Sequence, residues 1–448
     1  MKLFWSNQML RITQVAISAL LATSWLAPSA ALAGPSIQSW QTSNGARVLF
    51  VPAPDLPMLD LRIVFDAGSA RDGGKPGLAA MTNSMLRHGA GNLTTNAIAE
   101  HFEGLGASSG NGARRDMAWV SLRSLSDPKL LQPALDMTRR LLLEPSFPAS
   151  AFERERRRLL VGLKQQKQRP GSIAEKAFFK ALYGDHPYAT PTSGTEESVK
   201  GFVLGELQAF HRRYYVASNA VIALVGALDR KAAEALVENL IGAMPAGERA
   251  PELPQVASLT SENLINIDHP SSQSHLLMGQ PGVRRGDPDY FSLYVGNHIL
   301  GGSGLISRLS DEIREKRGLS YSVYSYFLPM RMQGPFQMGL QTRNESVEEA
   351  IGLMNDQLNK FLDEGPKAEE LEASKKNITG GFPLRVDSNK KIVGYLAMIG
   401  FYGLPLDYLD RFNEEVEKVT LESIQDAFRR RLKPEQMVKV VVGKQAAQ

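Results

Sequence analysis

The chain has 448 residues, which is too long for one ordinary domain and long enough for two with full hydrophobic cores. Apolar residues make up 43% of it and charged residues 22%, a composition typical of globular and not of disordered proteins. The formal net charge of +4 is spread along the sequence, so no nucleic-acid-binding surface is predicted. The sequence contains no cysteine, which excludes disulfides and thiolate metal sites.

The first 33 residues have the pattern of a cleavable signal peptide. Lys2 and Arg11 supply the positive region, 12–26 is largely apolar, and Ala31-Leu32-Ala33 is a small-residue cleavage site. Cleavage after Ala33 would leave a mature chain that starts at Gly34 and is exported to the periplasm. The alternative is an uncleaved N-terminal anchor. No later segment is apolar enough over a sufficient length to span a bilayer, so no stable membrane span is expected after removal of the signal.

The spacing of apolar residues predicts strands and helices along the first half. The predicted strands are a pair in 39–51 that turns at Asn44-Gly45, followed by 59–65, 111–125 and 221–225. The predicted helices are 77–88, 95–105, 128–143, 149–166 and 231–243. A loop rich in turn-forming residues, GDHPYATPTSGT, occupies 184–195.

The second half repeats this order of elements. Strands are predicted at 264–267, 275–279 and 437–442, and a helix at 346–363. A proline-rich segment precedes them, so we divide the chain into an N-terminal domain (34–245), a linker (246–262) and a C-terminal domain (263–448). The repeat implies an internal duplication of about two hundred residues. The predicted fold class is α+β, with two homologous α/β sandwich domains, each a mostly antiparallel sheet covered by helices.

The segment 287–342 carries the most specific pattern. A helix is predicted to break at Gly301-Gly302-Ser303-Gly304, and a second helix, with Ile306, Leu309 and Ile313 on one face, is predicted to end at Gly318. Two alternating runs, 321–327 and 336–340, then predict a β-hairpin that turns near Gly334.

Within this segment, Arg314 lies seven residues before Tyr321. The sequences around them, Ser307-Arg308-Leu309 and REKRGLSY, resemble the C-terminal domain of pitrilysin/insulinase-type zinc peptidases, in the short form related to mitochondrial processing peptidase. The resemblance implies a two-domain chain that forms half of a clam shell, and the HPY and GT of the 184–195 loop resemble the family too. It also implies that Arg314 and Tyr321 bind substrate in the facing active site, with Gly301, Gly302 and Gly304 in a substrate-facing loop. Without the resemblance, the pair reads as an arginine on a solvated helix and a tyrosine in a strand.

The zinc motif of that family is missing. Two histidines four residues apart on a helix bind one Zn²⁺ in H-x-x-E-H, the glutamate activates the metal-bound water, and a distant glutamate completes the ligand set. On the helix 77–88 the matching positions hold Ala80, Asn83 and Ser84, and the distant position holds Val161. We therefore expect no catalytic residue and no metal or other cofactor on this chain.

The resemblance implies a role for such a chain. Some members assemble as two homologous chains, of which one carries the zinc motif. Loss of the motif with retention of Arg314 and Tyr321 matches the non-catalytic, substrate-binding subunit. Its partner would be an H-x-x-E-H-bearing subunit that holds the zinc, and peptides or small unfolded proteins would be the substrates. Two alternatives remain open: a structural role in the assembly of a complex, and a peptide-binding module that acts alone.

Overall fold

The computed structural model describes residues 36–444, and from Ile37 onward they form one compact unit. The predicted signal peptide lies outside the described residues. Within the described range, no helix combines the length and apolarity needed to cross a membrane. The mixed α/β class predicted from the sequence is confirmed.

The first half is built on a six-stranded sheet. Its strand order is β1-β2-β8-β3-β7-β6, and its one parallel pair among the described strands is β2 with β8. The strands are β1 (Gln38–Gln41), β2 (Arg47–Pro52), β3 (Met58–Phe65), β6 (Ser108–Ala113), β7 (Ala118–Leu125) and β8 (Ala220–Gly226). The short strands β4 (Gly89–Ala90) and β5 (Leu93–Thr94) form a separate ladder. The predicted strand 111–125 is therefore wrong as one element, since the chain turns back between Ala113 and Ala118.

Eight helices belong to the described part of the first half: α1 (Leu78–Met85), α2 (Thr95–Gly104), α3 (Pro128–Leu143), α4 (Ala149–Gln166), α5 (Pro170–Tyr183), α6 (Glu196–Gly201), α7 (Leu204–Tyr214) and α8 (Arg230–Ile241). Side chains at the helix starts satisfy the free backbone N–H groups. The Thr94 hydroxyl accepts from Ala97 N, and the Asp229 carboxylate accepts from Ala232 N at 2.7 Å. These caps explain why the predicted starts of α2 and α8 are nearly correct.

The second half contains a five-stranded sheet of the order β11-β12-β10-β13-β9. Its strands are β9 (Asn263–Asp268), β10 (Gln273–Pro281), β11 (Val323–Phe327), β12 (Pro335–Arg343) and β13 (Val438–Gly443). Its helices are α9 (Tyr290–Asn297), α10 (Val347–Glu364), α11 (Ala368–Gly381), α12 (Asn389–Tyr402), α13 (Tyr408–Glu417) and α14 (Leu421–Arg431). Each strand corresponds to one of the first sheet, β6-β7-β3-β8-β2 in the same order, and β13 with β9 is again the parallel pair.

Two helices cross from one half to the sheet of the other. Helix α5 packs on β10 and β13, where Phe178 lies against Val438 and Val440 in one apolar cluster. Helix α12 packs on β3 and β8 so closely that a Cβ on Gly400 would lie 2.4 Å from Val221 Cγ1. No element is predicted for 170–183 from the sequence, and the structure shows the helix α5 there.

Candidate functional site

Helix α1 is the element on which the zinc motif would lie, and its start is firmly held. The Asp72 carboxylate accepts hydrogen bonds from Gly77 N at 2.7 Å and from Ala79 N at 2.8 Å. Burial raises the pKa of Asp72 to about 7, against the opposing effect of these two bonds. Gly77 has φ +90°, and a Cβ there would lie 2.8 Å from Gly194. The GT end of the 184–195 loop thus supports the helix start.

The three positions of the missing motif lie on α1 in different environments. Ala80 and Ser84 are half-buried, whereas Asn83 is buried. The Asn83 amide donates to Trp119 O at 3.2 Å and to Tyr215 Oη at 3.0 Å. An amide nitrogen engaged in this way carries no basic lone pair, so Asn83 cannot take the place of the general base.

The fourth position, Val161, lies on α4, which packs against α1, and 57% of its surface is exposed. Methyl groups cannot bind zinc. Across residues 36–444, no group of three or more His, Asp or Glu side chains has an arrangement that could hold a metal ion. The residues present at the family's zinc position therefore do not fit the metal.

A histidine and a glutamate meet one turn beyond Ser84. His88 Nε2 lies 3.3 Å from Glu155 Oε1, and His88 Nδ1 lies 3.3 Å from Thr95 Oγ1. His88 and Thr95 line a cavity of about 280 Å³ together with Ser84 and Asn111. Burial lowers the pKa of His88, with the Glu155 charge acting in the opposite direction. The pair ties α4 to the end of α1 and supplies one histidine, one fewer than the motif needs.

The glycine-rich segment of the second half adopts unusual helical forms. Helix α9 continues as a π-helix over His298–Gly302, and 304–306 is a 3₁₀ turn. A Cβ on Gly301 would lie 2.4 Å from Ser325 Oγ, and one on Gly302 would lie 2.7 Å from Asn297 Nδ2. Gly304 has φ +64° and open space around it. The predicted break thus comes at Ser303, and two of the three glycines are needed for packing against β11 and α9.

The predicted second helix is replaced by a π-helix over Ser310–Glu315. Leu309 and Ile313 are buried as predicted, but Ile306 is 72% exposed because it lies in the preceding 3₁₀ turn. The prediction of one continuous apolar face is wrong at that residue. Gly318, with φ +62°, closes the segment through a hydrogen bond from its N–H to Arg314 O.

Arg314 and Tyr321 differ from their neighbours in having few partners. Arg308 forms two hydrogen bonds with the Glu370 carboxylate, and Arg317 is bonded to Glu312. The Arg314 side chain makes no hydrogen bond to the described part of the chain, and Nε lies 3.4 Å from the adjacent Glu315. Tyr321 precedes β11 and is 89% exposed. The structure places both in the same segment and leaves both side chains available.

Asp116 and Tyr188, the tyrosine of the HPY sequence, form a junction between the two halves. Tyr188 Oη donates to Asp116 Oδ1, and Tyr402 Oη donates to Asp116 Oδ2 at 2.9 Å. Arg331 N, in the loop between β11 and β12, donates to the same carboxylate at 2.8 Å. Asp116 was not singled out from the sequence. Its position in the β6–β7 turn gave no local signal, since its partners are 72 to 286 residues away.

The two sheets have the same strand order, and helix α1 carries none of the zinc ligands of H-x-x-E-H. These features indicate a peptidase-like protein without a zinc site on that helix. Two family models match the chain: "Insulinase (Peptidase family M16)" over residues 47–196 and "Peptidase M16 inactive domain" over residues 202–378. Together they cover most of the sequence.

Solved structures and curated proteins agree with these models. The peptidase M16 inactive domain from Pseudomonas fluorescens is 44% identical, with a TM-score of 0.89 over 92% of this chain and 98% of that one. The non-peptidase homolog YmxG of Helicobacter pylori is 26% identical over 83% of this chain and 85% of its own length. The uncharacterized zinc protease YmxG of Bacillus subtilis is 24% identical over 79% of this chain and 85% of its own length.

The chain belongs to peptidase family M16, the insulinase family. It is a member without the H-x-x-E-H sequence. The periplasmic protease PqqL from Escherichia coli has the same fold at 15% identity and a TM-score of 0.77, and this chain covers 46% of its length.

Proposed function

We propose that this chain is the non-catalytic, substrate-binding subunit of a heterodimeric zinc peptidase. Its partner is a homologous subunit that carries H-x-x-E-H and zinc, and its substrates are peptides or small unfolded proteins. The observation that carries the proposal is the contrast between the two halves. Ala80, Asn83, Ser84 and Val161 cannot support zinc chemistry, whereas Arg314 and Tyr321 keep free polar groups.

The chemistry of Arg314 and Tyr321 suits a substrate held in a facing active site. A guanidinium presents several N–H donors in a fixed plane and binds a peptide carbonyl or carboxylate. A phenol hydroxyl donates one hydrogen bond, which is strongest when negative charge develops on the carbonyl oxygen. Neither group is engaged elsewhere in residues 36–444 by a hydrogen bond.

The surface around the pair also suits a partner subunit. Leu305 is 59% exposed and Ile306 is 72% exposed, in the same segment as Tyr321. Exposed large apolar side chains that cluster, rather than scatter singly, are typical of interaction surfaces. We propose that Gly301, Gly302 and Gly304 position this segment toward the substrate and the partner.

The first prediction concerns complementation. This chain alone is expected to bind no zinc and to cleave no peptide, whereas a mixture with an H-x-x-E-H-bearing M16 homologue from the same organism cleaves an unfolded peptide substrate. Arg314→Ala or Tyr321→Phe in the mixture is expected to lower kcat/KM by about 10²-fold or more, because each removes a donor to the transition state. Zinc is measured by atomic absorption, and cleavage by mass spectrometry.

Arg140→Ala is the control, because Arg140 is exposed and lies on helix α3 of the first half, whereas Arg314 and Tyr321 lie in the second. The control is expected to keep full activity in the mixture. Stoichiometric zinc and cleavage by the single chain would contradict the proposal. Full activity of both Arg314→Ala and Tyr321→Phe in an active heterodimer would leave a structural, assembly-type role as the better interpretation.

We further propose a periplasmic location, with the signal peptide cleaved after Ala33. The pattern of residues 1–33 supports it, and one structural neighbour is named as a periplasmic protease. The domain limits 34–245 and 263–448, with the linker 246–262, belong to the same proposal. The two sheets of equal strand order support that division.

A further inference from the structure

A cavity of about 740 Å³ lies between helices α4 and α5 and the 189–196 segment of the first half, and Ile267 of β9 also lines it. Its size is within the range of pockets that hold small organic ligands. Apolar side chains line part of it, among them Phe179, Ile173 and Ala177 of α5. The hydroxyls of Thr192, Ser193 and Thr195 line another part. The cavity is therefore amphipathic.

Arg115 contributes a cation to this cavity. Its Nε donates to Tyr188 O at 3.1 Å, and its guanidinium stacks 3.5 Å from the centre of the Phe179 ring. Within residues 36–444, neither Nη nitrogen has a hydrogen bond, and no carboxylate lies within ion-pair distance of the group. Burial lowers the pKa of Arg115, with Glu175 the main opposing charge. The half-buried guanidinium thus keeps Nη donors without a protein partner, and a bound anion would accept hydrogen bonds from them.

The other charged groups at the cavity leave a positive balance. Lys167 is paired with Glu196 at 2.7 Å and Lys180 lies 3.8 Å from Asp185, whereas the exposed Lys176 has no ion pair in the described structure. Glu175 is the unpaired anion, and it also lines an adjoining cavity of about 370 Å³ next to β11. A ligand that bears one carboxylate is thus attracted by Arg115 and Lys176 and repelled by Glu175.

We propose that this cavity binds an apolar group that ends in a carboxylate, with the carboxylate on the two Nη nitrogens of Arg115. A guanidinium binds a carboxylate through two parallel N–H bonds, and the apolar wall accepts the adjoining hydrocarbon. Two sources offer this chemistry: the C-terminal residue of a peptide and a free fatty acid. The site lies in the other half from Arg314 and Tyr321, and the inference does not depend on the subunit proposal.

The test uses the full mature chain by itself. A fluorescein-labelled hexapeptide ending in Phe is titrated by fluorescence polarisation, once with a free C-terminal carboxylate and once as the amide. Decanoate is added as a competitor. The free acid is expected to bind about 10-fold or more tightly than the amide, or decanoate is expected to displace the probe, because only these ligands carry the anion that Arg115 pairs with. A preference for the free acid that decanoate does not compete away identifies a peptide C terminus, whereas displacement of the probe by decanoate identifies a fatty acid.

Three variants test which residues determine the preference for a carboxylate. Arg115→Met is expected to abolish the preference for the carboxylate, whereas Arg114→Met, the neighbour in the same turn that does not line the cavity, keeps it. Glu175→Gln is expected to tighten binding about two- to five-fold, because it removes the repelling charge.

A gain from Glu175→Gln is a change that mere loss of folding cannot produce, so the test stands even if Arg115→Met unfolds. Equal affinity for acid and amide without displacement by decanoate would overturn the proposal. An unchanged preference in a folded Arg115→Met chain would overturn it as well.

Discussion

Asn83, at the position where H-x-x-E-H would have its glutamate, belongs to a buried network of polar and aromatic side chains. Its amide is bonded to Tyr215, and the Tyr215 ring stacks on His211 at 4.9 Å between centres. His211 Nε2 in turn donates to Leu142 O at 3.0 Å at the end of α3. Burial raises the pKa of Tyr215 and lowers that of His211 to about 4, so both groups are neutral at pH 7. The network connects α1, α7 and α3 through two hydrogen bonds and one ring stack between neutral groups.

The neutral state of His211 makes stability depend on pH. The unfolded chain binds a proton at His211 below about pH 6.5, whereas the folded chain binds it only near pH 4. Above pH 6.5, protonation of His211 therefore does not reduce the free energy of unfolding. As the pH falls from 6.5 toward 4, the free energy of unfolding decreases, because only the unfolded chain binds the proton. Relative to His211→Gln, wild-type protein is expected to lose on the order of 2 to 3 kcal/mol between pH 7.5 and 4.5.

Urea unfolding of both proteins at the two pH values measures this loss. Other titrating groups contribute equally to both proteins, so the difference isolates His211. A difference that stays constant with pH would show that His211 is not buried in its neutral form.

At the scale of the element, α5 and α12 determine how the halves hold together. Each leaves the helix layer of its own half and covers the other sheet. Phe178 of α5 is fully buried, and its ring would lie 3.0 Å from a Cβ on Gly279 of β10. Because each core is completed by a helix from the other half, neither sheet is covered by its own half alone.

Phe178→Ala is therefore expected to destabilise the whole chain in one step. Loss of a buried phenyl ring costs about 3 to 5 kcal/mol. Calorimetry or urea unfolding is expected to show one transition at a lower midpoint. Lys176→Ala, an exposed change on the same helix, is expected to alter stability by less than about 0.5 kcal/mol. Two separate unfolding transitions, of which one is unchanged by the substitution, would contradict the inference that α5 and α12 couple the unfolding of the two halves.

At the scale of the whole molecule, the two halves share one strand order but differ in their candidate functional residues. Both sheets have the same sequence of neighbours and one parallel pair each. The first half has no H-x-x-E-H sequence, and the second contains Arg314 and Tyr321. Asp116 links them, since it accepts from Tyr188 in the first half and from Tyr402 and Arg331 in the second. These contacts make the two halves parts of one packed unit.

The location of the whole chain is testable through its mature N terminus. Protein isolated from the periplasmic fraction is expected to begin at Gly34, as measured by intact mass and N-terminal sequencing. Ala33→Leu, which enlarges the small residue at the cleavage site, is expected to leave the precursor uncut and attached to the membrane. A wild-type chain that keeps residues 1–33 in the membrane fraction would favour the anchor interpretation.

Local patterns in the sequence were enough for most of the elements and for the absence of zinc ligands. Apolar spacing placed α4 and α10 within a few residues, because each has a buried face whose period is visible in the chain, and β3 was placed by its short run of mostly apolar residues. The identity of Ala80 and Ser84 excluded histidine ligation by itself. Neither conclusion needed contacts between distant residues.

Only the tertiary structure decided which groups meet. The crossing of α5, the joint at Asp116 and the unpaired guanidinium of Arg115 in a cavity all depend on residues far apart in the chain. Local spacing carries no record of such contacts, because many chain paths satisfy the same pattern of strands and helices. The two sheets pack against helices exchanged between the halves, and this packing selects one chain path. In that path Arg115 lies at the wall of the cavity.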